Sequence, residues 1–171
     1  VFWGVFCCFG ALFAQKQEPE FVALDANQFE EAFYDALKEK SMENHDKAIQ
    51  KLKTCLQLQP QEAVVHFELA KNYFAIKDYT QAVIQFEKVL ELKPDERWAW
   101  DGLYQIAKTN RNYQQAIVYL KKLIPYSTEY QEELVSTYMF AQKYEEALLL
   151  IEELNKTVGK RETRTRYKEQ I

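Results

Sequence analysis

The chain has 171 residues, a formal net charge of −4, four glycines, four prolines and 28% charged residues. That balance excludes a disordered chain and argues against a β-rich fold, while the mild acidity leaves no basic stripe for a nucleic-acid partner. A chain near this length hides roughly two-thirds of its unfolded surface, enough for a continuous core.

The opening run VFWGVFCCFGALFA, residues 1–14, is apolar or small throughout. A bilayer span needs roughly twenty such residues, so this run is too short to cross. It fits the apolar region of a secretory signal, with cleavage after Ala14. The chain begins at Val1 rather than Met, no basic residues precede the run, and Leu12 stands where a small residue is preferred. A signal with a clipped start is therefore expected. The mature protein is then exported, to the periplasm or cell envelope of a bacterium, with no membrane span of its own. Cys7 and Cys8 would leave with the signal. Cys55, alone in the mature chain, cannot form an internal disulfide and reads as a small core residue.

Residues 15–27 read as a linker and first cap. They contain Pro19 and several polar groups, and Asp25 followed by Gln28 is a capping-box-like helix start. Phe29, Ala32, Phe33, Ala36 and Leu37 then recur at the spacing of one apolar helical face.

From here the same residue slots recur four times. The first slot holds His45, Tyr79, Tyr113 and Tyr144; three residues on stand Ala48, Ala82, Ala116 and Ala147. The next two slots hold Leu52, Phe86, Leu120 and Ile151, then Cys55, Val89, Leu123 and Leu154. Pro60, Pro94 and Pro125 close the first three repeats, and Gly159 is a C-terminal stop for the fourth. The repeats are assigned to 28–60, 61–94, 95–127 and 128–159, with 160–171 as the start of a further, truncated helix or repeat. Such a period indicates stacked helix pairs, each unable to bury its apolar face alone. The fold class is therefore all-α, a solenoid of antiparallel helix pairs.

Two irregularities stand out. The first repeat is expected to hold three extra residues between its helices. In the third, Leu123 precedes Pro125 so closely that nearly one turn is missing from the end of its second helix.

In the second repeat the pattern reads His66, Leu69, Ala70, Tyr73, Tyr79, Ala82, Phe86, Val89 and Pro94. It resembles the tetratricopeptide repeat (TPR), and the resemblance extends from Phe29 to Gly159. In the third repeat the large and small residues are exchanged, with Tyr104 and Ala107. The resemblance implies a right-handed superhelix whose first helices line a concave groove that holds a protein or peptide. Carried over residue by residue, the groove positions include Val64, Phe67, Lys71 and Phe74 in the second repeat and Trp98, Asp101, Gln105 and Lys108 in the third. Met139 and Phe140 come from the fourth. The repeat core does not require the apolar members of this set, so they are expected to be free to serve a partner. Lys71 and Lys108 could pair an acidic peptide. A clamp for an acidic chaperone tail is not expected, because its Lys and Asn are replaced by Glu30-Glu31, Phe67-Glu68 and Asp101-Gly102.

No chemistry of another kind is legible. Four scattered glycines make no phosphate loop, and no Cys/His grouping has zinc spacing. His45 and His66 occupy packing slots, and Ser41, Ser127 and Ser136 have no histidine base in reach. The sequence therefore reads as a scaffold rather than an enzyme, with no cofactor and no metal. The second reading is a structural or self-associating segment of a larger envelope protein, a homo-oligomer through this same face.

Overall fold

The computed structural model describes residues 19–171, and the signal reading of residues 1–14 lies outside the described residues. The chain forms α1 (Pro19–Ser41), α2 (His45–Leu58), α3 (Ala63–Ala75), α4 (Tyr79–Leu92) and α5 (Arg97–Thr109). α6 (Tyr113–Leu123), a 3-10 turn (Ile124–Tyr126), α7 (Glu129–Phe140), α8 (Tyr144–Thr157) and α9 (Glu162–Gln170) follow. Among the described residues there is no strand, and no helix is long and apolar enough to cross a membrane. α1 packs on α2, α3 on α4, α5 on α6 and α7 on α8, and each pair stacks on the next. The fold is an all-α, TPR-like solenoid.

The recurring slots are the core. Ala48, Ala82, Ala116 and Ala147 are each 0% exposed, leaving no room for a larger side chain where the two helices of a pair cross. Leu52, Phe86, Leu120 and Ile151 are buried beside them, as are Cys55, Val89, Leu123 and Leu154. The Cys55 thiol lies 3.9 Å from the Phe29 carbonyl, and burial pushes its pKa up. His66 packs within hydrogen-bonding distance of the Gln85 amide (2.8 Å) and the Pro60 carbonyl (3.2 Å), and His45 of Asn72 (2.9 Å).

All four pairs turn in the same way. Glu43, Lys77, Arg111 and Gln142 have φ of 61°, 63°, 55° and 58°, and all four are non-glycine. In the second turn the Lys77 N–H donates to the Phe74 carbonyl and the Asp78 N–H to the Tyr73 carbonyl, and the other three repeat both bonds. These are Schellman closures, which satisfy the last carbonyls of the first helix. Asp78 and Asn112 then accept from the N–H groups of Gln81 and Gln115, capping α4 and α6.

Two details differ from what the spacing predicts. The first helix begins at Pro19, not at Asp25, so residues 19–27 are helical rather than linker. Proline suits a first helical position, where its fixed φ fits and no N–H is required. The first repeat also carries no insertion: Met42, Glu43 and Asn44 form a turn as short as the others, and Ala36 precedes Ala48 by the same interval as Ala70 precedes Ala82. With Ala36 in that slot, Phe33-Tyr34, not Glu30-Glu31, stand at the two positions compared with the chaperone-tail clamp. The third repeat is shortened where expected. α6 has 11 residues against 14 in α2, α4 and α8. The 3-10 turn containing Pro125 takes over at that point, and the Tyr126 hydroxyl ties it down by donating to the Asp95 carbonyl at 2.9 Å.

Candidate functional site

A pocket of about 220 Å³ opens between α3 and α5. Phe67, Lys71 and Phe74 from α3 and Trp98, Asp101 and Gln105 from α5 stand around it, with Phe86 of α4 and Gly102 as its floor. The helical period places Phe67, Lys71 and Phe74 on one face, because residues three and four apart are neighbours on a helix surface. Phe67 meets Phe86 edge-on at 5.9 Å between ring centres, and Phe74 leans on Tyr79 at 5.6 Å. Trp98 is 56% exposed, and the Arg97 guanidinium lies 4.5 Å from its ring centre.

Gly102 makes this pocket possible. A Cβ at that position would stand 2.3 Å from the Phe86 ring, a distance no real contact shows. Only glycine lets the α5 backbone come down onto the aromatic floor.

Charge is arranged on both sides of the pocket. Glu68 accepts from Lys40 and from Lys71, each at 2.7 Å. Burial alone would raise its pKa, but the two ammonium groups more than offset this and hold it below the usual carboxylate range. Lys71 is shifted down, first by burial and further by Lys40 beside it, despite the bond to Glu68. On the other side Glu133 accepts from the Tyr104 hydroxyl at 2.6 Å and from Lys108 at 2.9 Å. Burial, reinforced by the Glu133 carboxylate, pushes the Tyr104 phenol up to about 12. This is how the repeat with exchanged large and small residues is accommodated: Tyr104 is buried and its hydroxyl reaches across to α7.

A second cleft of about 550 Å³ lies among α5, α7 and α9, lined by Tyr104, Lys108, Glu133, Ser136, Arg161 and Tyr167 among others. α9 closes one side of it. Its Arg164 is 0% exposed, donates through Nη2 to the Gly159 carbonyl at 2.5 Å and places Nε 3.6 Å from Glu132.

The ten groove residues expected from the sequence therefore divide. Phe67, Lys71, Phe74, Trp98, Asp101 and Gln105 surround the first pocket, while Lys108 lines the second cleft. Phe140, 62% exposed, stacks on Tyr113 at 5.5 Å between ring centres. Val64 is exposed on α3 but outside the pocket. The expectation that the core does not need the apolar members is corrected. Phe67, Phe74 and Met139 are partly buried and pack against the core, because helices this closely stacked share their edge residues. Sequence reasoning missed Phe86 and Gly102, although a glycine inside a helix costs about 1 kcal/mol against alanine and so marks a close approach. It also missed Lys40, Glu68 and Glu133, whose pairing depends on how repeats stack.

Residues 45–93, from α2 to the end of α4, match the family of YpiA-like tetratricopeptide repeats. Within that span the repeats are those of the tetratricopeptide family, and the described chain as a whole has a TPR-like fold. Among solved structures, the TPR chain is similar to the MamA protein, at 19% identity and TM-score 0.66 over 77% of this chain and 73% of that one. A MamA fragment from Desulfovibrio magneticus RS-1 gives 16% identity and TM-score 0.66, over 75% of each chain. The first TPR domain of Spaghetti (RPAP3), bound to an HSP90 peptide, gives 16% identity and TM-score 0.59 over 66% of this chain and 92% of that one. At these identities the likeness is one of fold. No curated protein matches the sequence.

Proposed function

We propose that this TPR protein is a scaffold that holds a protein or peptide partner along the face formed by α3, α5 and α7. The observation that carries the reading is the pocket between α3 and α5, where Phe67, Phe74 and an exposed Trp98 converge beside Lys71. Aromatic residues grouped in a concavity are the usual anchors of a protein interface. The Spaghetti domain, similar in fold, is bound to an HSP90 peptide, which supports this reading. The test is a screen of immobilised synthetic peptides against the purified chain carrying a fluorescein label, read by the label retained. Binders should be lost on combining Phe67→Ala with Trp98→Ala while helical circular dichroism stays unchanged. Binders indifferent to both substitutions would overturn the groove.

The exported setting rests on the apolar run 1–14, and sequencing the N-terminus of the mature product decides it. A start at Gln15 is expected; a product that retains Val1 overturns it. Self-association is favoured by a different observation. Ile84, Val118 and Leu149 occupy one repeat position on α4, α6 and α8 and are 47%, 49% and 69% exposed. One turn later stand Glu87, Lys121 and Glu152, alternating in sign, so a two-fold-related copy could meet opposite charges. Sedimentation should show a dimer that Leu149→Glu dissociates; a monomer at all concentrations removes this reading.

A further inference from the structure

Lys40, Phe74 and Lys108 occupy the same position in three successive repeats, four residues after Ala36, Ala70 and Tyr104. Glu68, Gly102 and Glu133 likewise occupy one position, two residues before Ala70, Tyr104 and Val135. At the first and third junctions these positions form the ion pairs Lys40–Glu68 and Lys108–Glu133. At the second junction the cation is replaced by Phe74 and the acid by Gly102, and the space between them is the pocket over Phe86. One ion pair of a regular series has been exchanged for an apolar notch.

Resting on the groove reading, we propose that this notch takes a single apolar side chain, leucine to phenylalanine in size, from a peptide with a carboxylate beside it. Size sets the first half. Pockets for drug-sized ligands measure roughly 300–1,000 Å³, whereas about 220 Å³ suits one side chain. Charge sets the second half. The cations around the notch are Lys71 and Arg97 and the anion is Asp101, an excess of one positive charge, while Lys40 and Glu68 offset each other at the first junction. Glu68 is shared by two ammonium groups, and Lys71 Nζ also lies 4.9 Å from the centre of the Phe67 ring, at the rim of the notch. The Arg97 Nε is buried and has no hydrogen-bond partner among the described residues. Asp101, which accepts from Tyr130 at 3.3 Å, occupies the α5 side. It turns the guest so that its carboxylate faces α3.

The test uses the full chain and three fluorescein-labelled peptides, otherwise of serine and glycine. One carries phenylalanine followed by aspartate, one phenylalanine followed by lysine, and one alanine followed by aspartate. Anisotropy measures affinity, and the Trp98 indole N–H signal in a nitrogen–proton NMR spectrum reports the place of binding. The first peptide should bind about tenfold tighter than either of the others, a difference of about 1.4 kcal/mol, and should shift the Trp98 signal. Lys71→Met should erase the preference for aspartate over lysine but keep the preference for phenylalanine over alanine. Phe74→Lys should abolish binding with helicity unchanged. Equal affinity for all three peptides, no binding, or binding that leaves Trp98 unmoved overturns the notch. The groove reading is separate: it still stands if the peptide screen yields binders sensitive to Phe67→Ala and Trp98→Ala, and it falls if the screen yields none.

Discussion

Gly102 rests against the ring of Phe86, with room for a hydrogen where any other residue would place a carbon 2.3 Å from Cζ. Phe86 is 3% exposed and fixed by the core, so it cannot move aside. Gly102→Ala should therefore cost stability even though alanine is the better helix former. Overpacking of this kind costs roughly 1–3 kcal/mol, and the propensity gain returns about 1. A net loss of up to about 2 kcal/mol is expected in urea denaturation, with recovery when Phe86→Leu is added. A neutral or stabilising Gly102→Ala would show that the helix is free to lift off the floor.

Acid should weaken the stack through Glu68 and Glu133. Both carboxyls lie below the ordinary glutamate value of 4.5 in the fold, because hydrogen bonds from Lys40 and Lys71, and from Tyr104 and Lys108, outweigh burial. A depressed folded pKa adds stability above the unfolded value, and that stability is lost as pH falls through the folded one. The melting temperature should therefore hold from neutrality to about pH 5 and drop below about pH 4.5. Lys108→Met should lower the neutral plateau and flatten part of the acid decline. A decline of unchanged size in that variant would remove Glu133 from the account.

The helix pairs are legible in the sequence because each depends on local chemistry. Ala82 sits beneath a tight crossing, Leu69 and Tyr73 share a face by helical period, and Pro94 marks a stop. The shortened α6 is legible for the same reason, since Leu123 and Pro125 are close in sequence. What escapes is what the stacking of one repeat on the next decides. Nothing near Glu68 announces that Lys40, on a different helix pair, will reach it. Nor does the α3 sequence alone show that Phe67 and Phe74 give part of their surface to the core, because that follows from their contacts with Phe86 and Tyr79 on α4. The start at Pro19 is not legible because proline and polar groups are as common in linkers as in a first helical turn, where proline favours the helix.

Tyr104→Phe isolates the cross-repeat bond to Glu133. The ring is buried and stays, so only the hydroxyl and its 2.6 Å contact are removed. Hydrogen bonds to charged groups contribute about 1.5–3 kcal/mol, and partial exposure of Glu133 places this one near the lower end. A loss of about 1–2 kcal/mol at neutral pH is expected by thermal or urea unfolding. The alkaline limb carries the sharper test. The phenol is raised to about 12, so the fold favours its neutral form, and that stability is present below about pH 10 and lost as pH rises towards 12. The phenylalanine variant should lose the part of the alkaline decline owed to Tyr104 and keep the parts owed to Lys108, Lys40, Lys51, Tyr119 and Tyr130, which are also shifted up. An identical decline in both proteins would mean that Tyr104 does not ionise with unfolding.

The four turns offer stability that the sequence leaves unused. Glu43, Lys77, Arg111 and Gln142 all hold a left-handed backbone with a side chain attached. That conformation costs an L-residue roughly 1–2 kcal/mol, and glycine escapes the cost while losing about 0.5–1 kcal/mol of backbone entropy. Lys77→Gly should thus stabilise by about 0.5–1 kcal/mol. Arg111→Gly should do the same, and the double variant should show the sum, because separate turns share no partner. Gly159 supplies the opposite control: its φ is 90° and a Cβ there meets nothing within 4 Å, so Gly159→Ala brings strain without a clash. It should destabilise, with the opposite sign to Lys77→Gly. Should Lys77→Gly also destabilise, the Lys77 side chain must make a contact worth more than the strain it relieves, and the turn would be held by that contact rather than by its two backbone bonds.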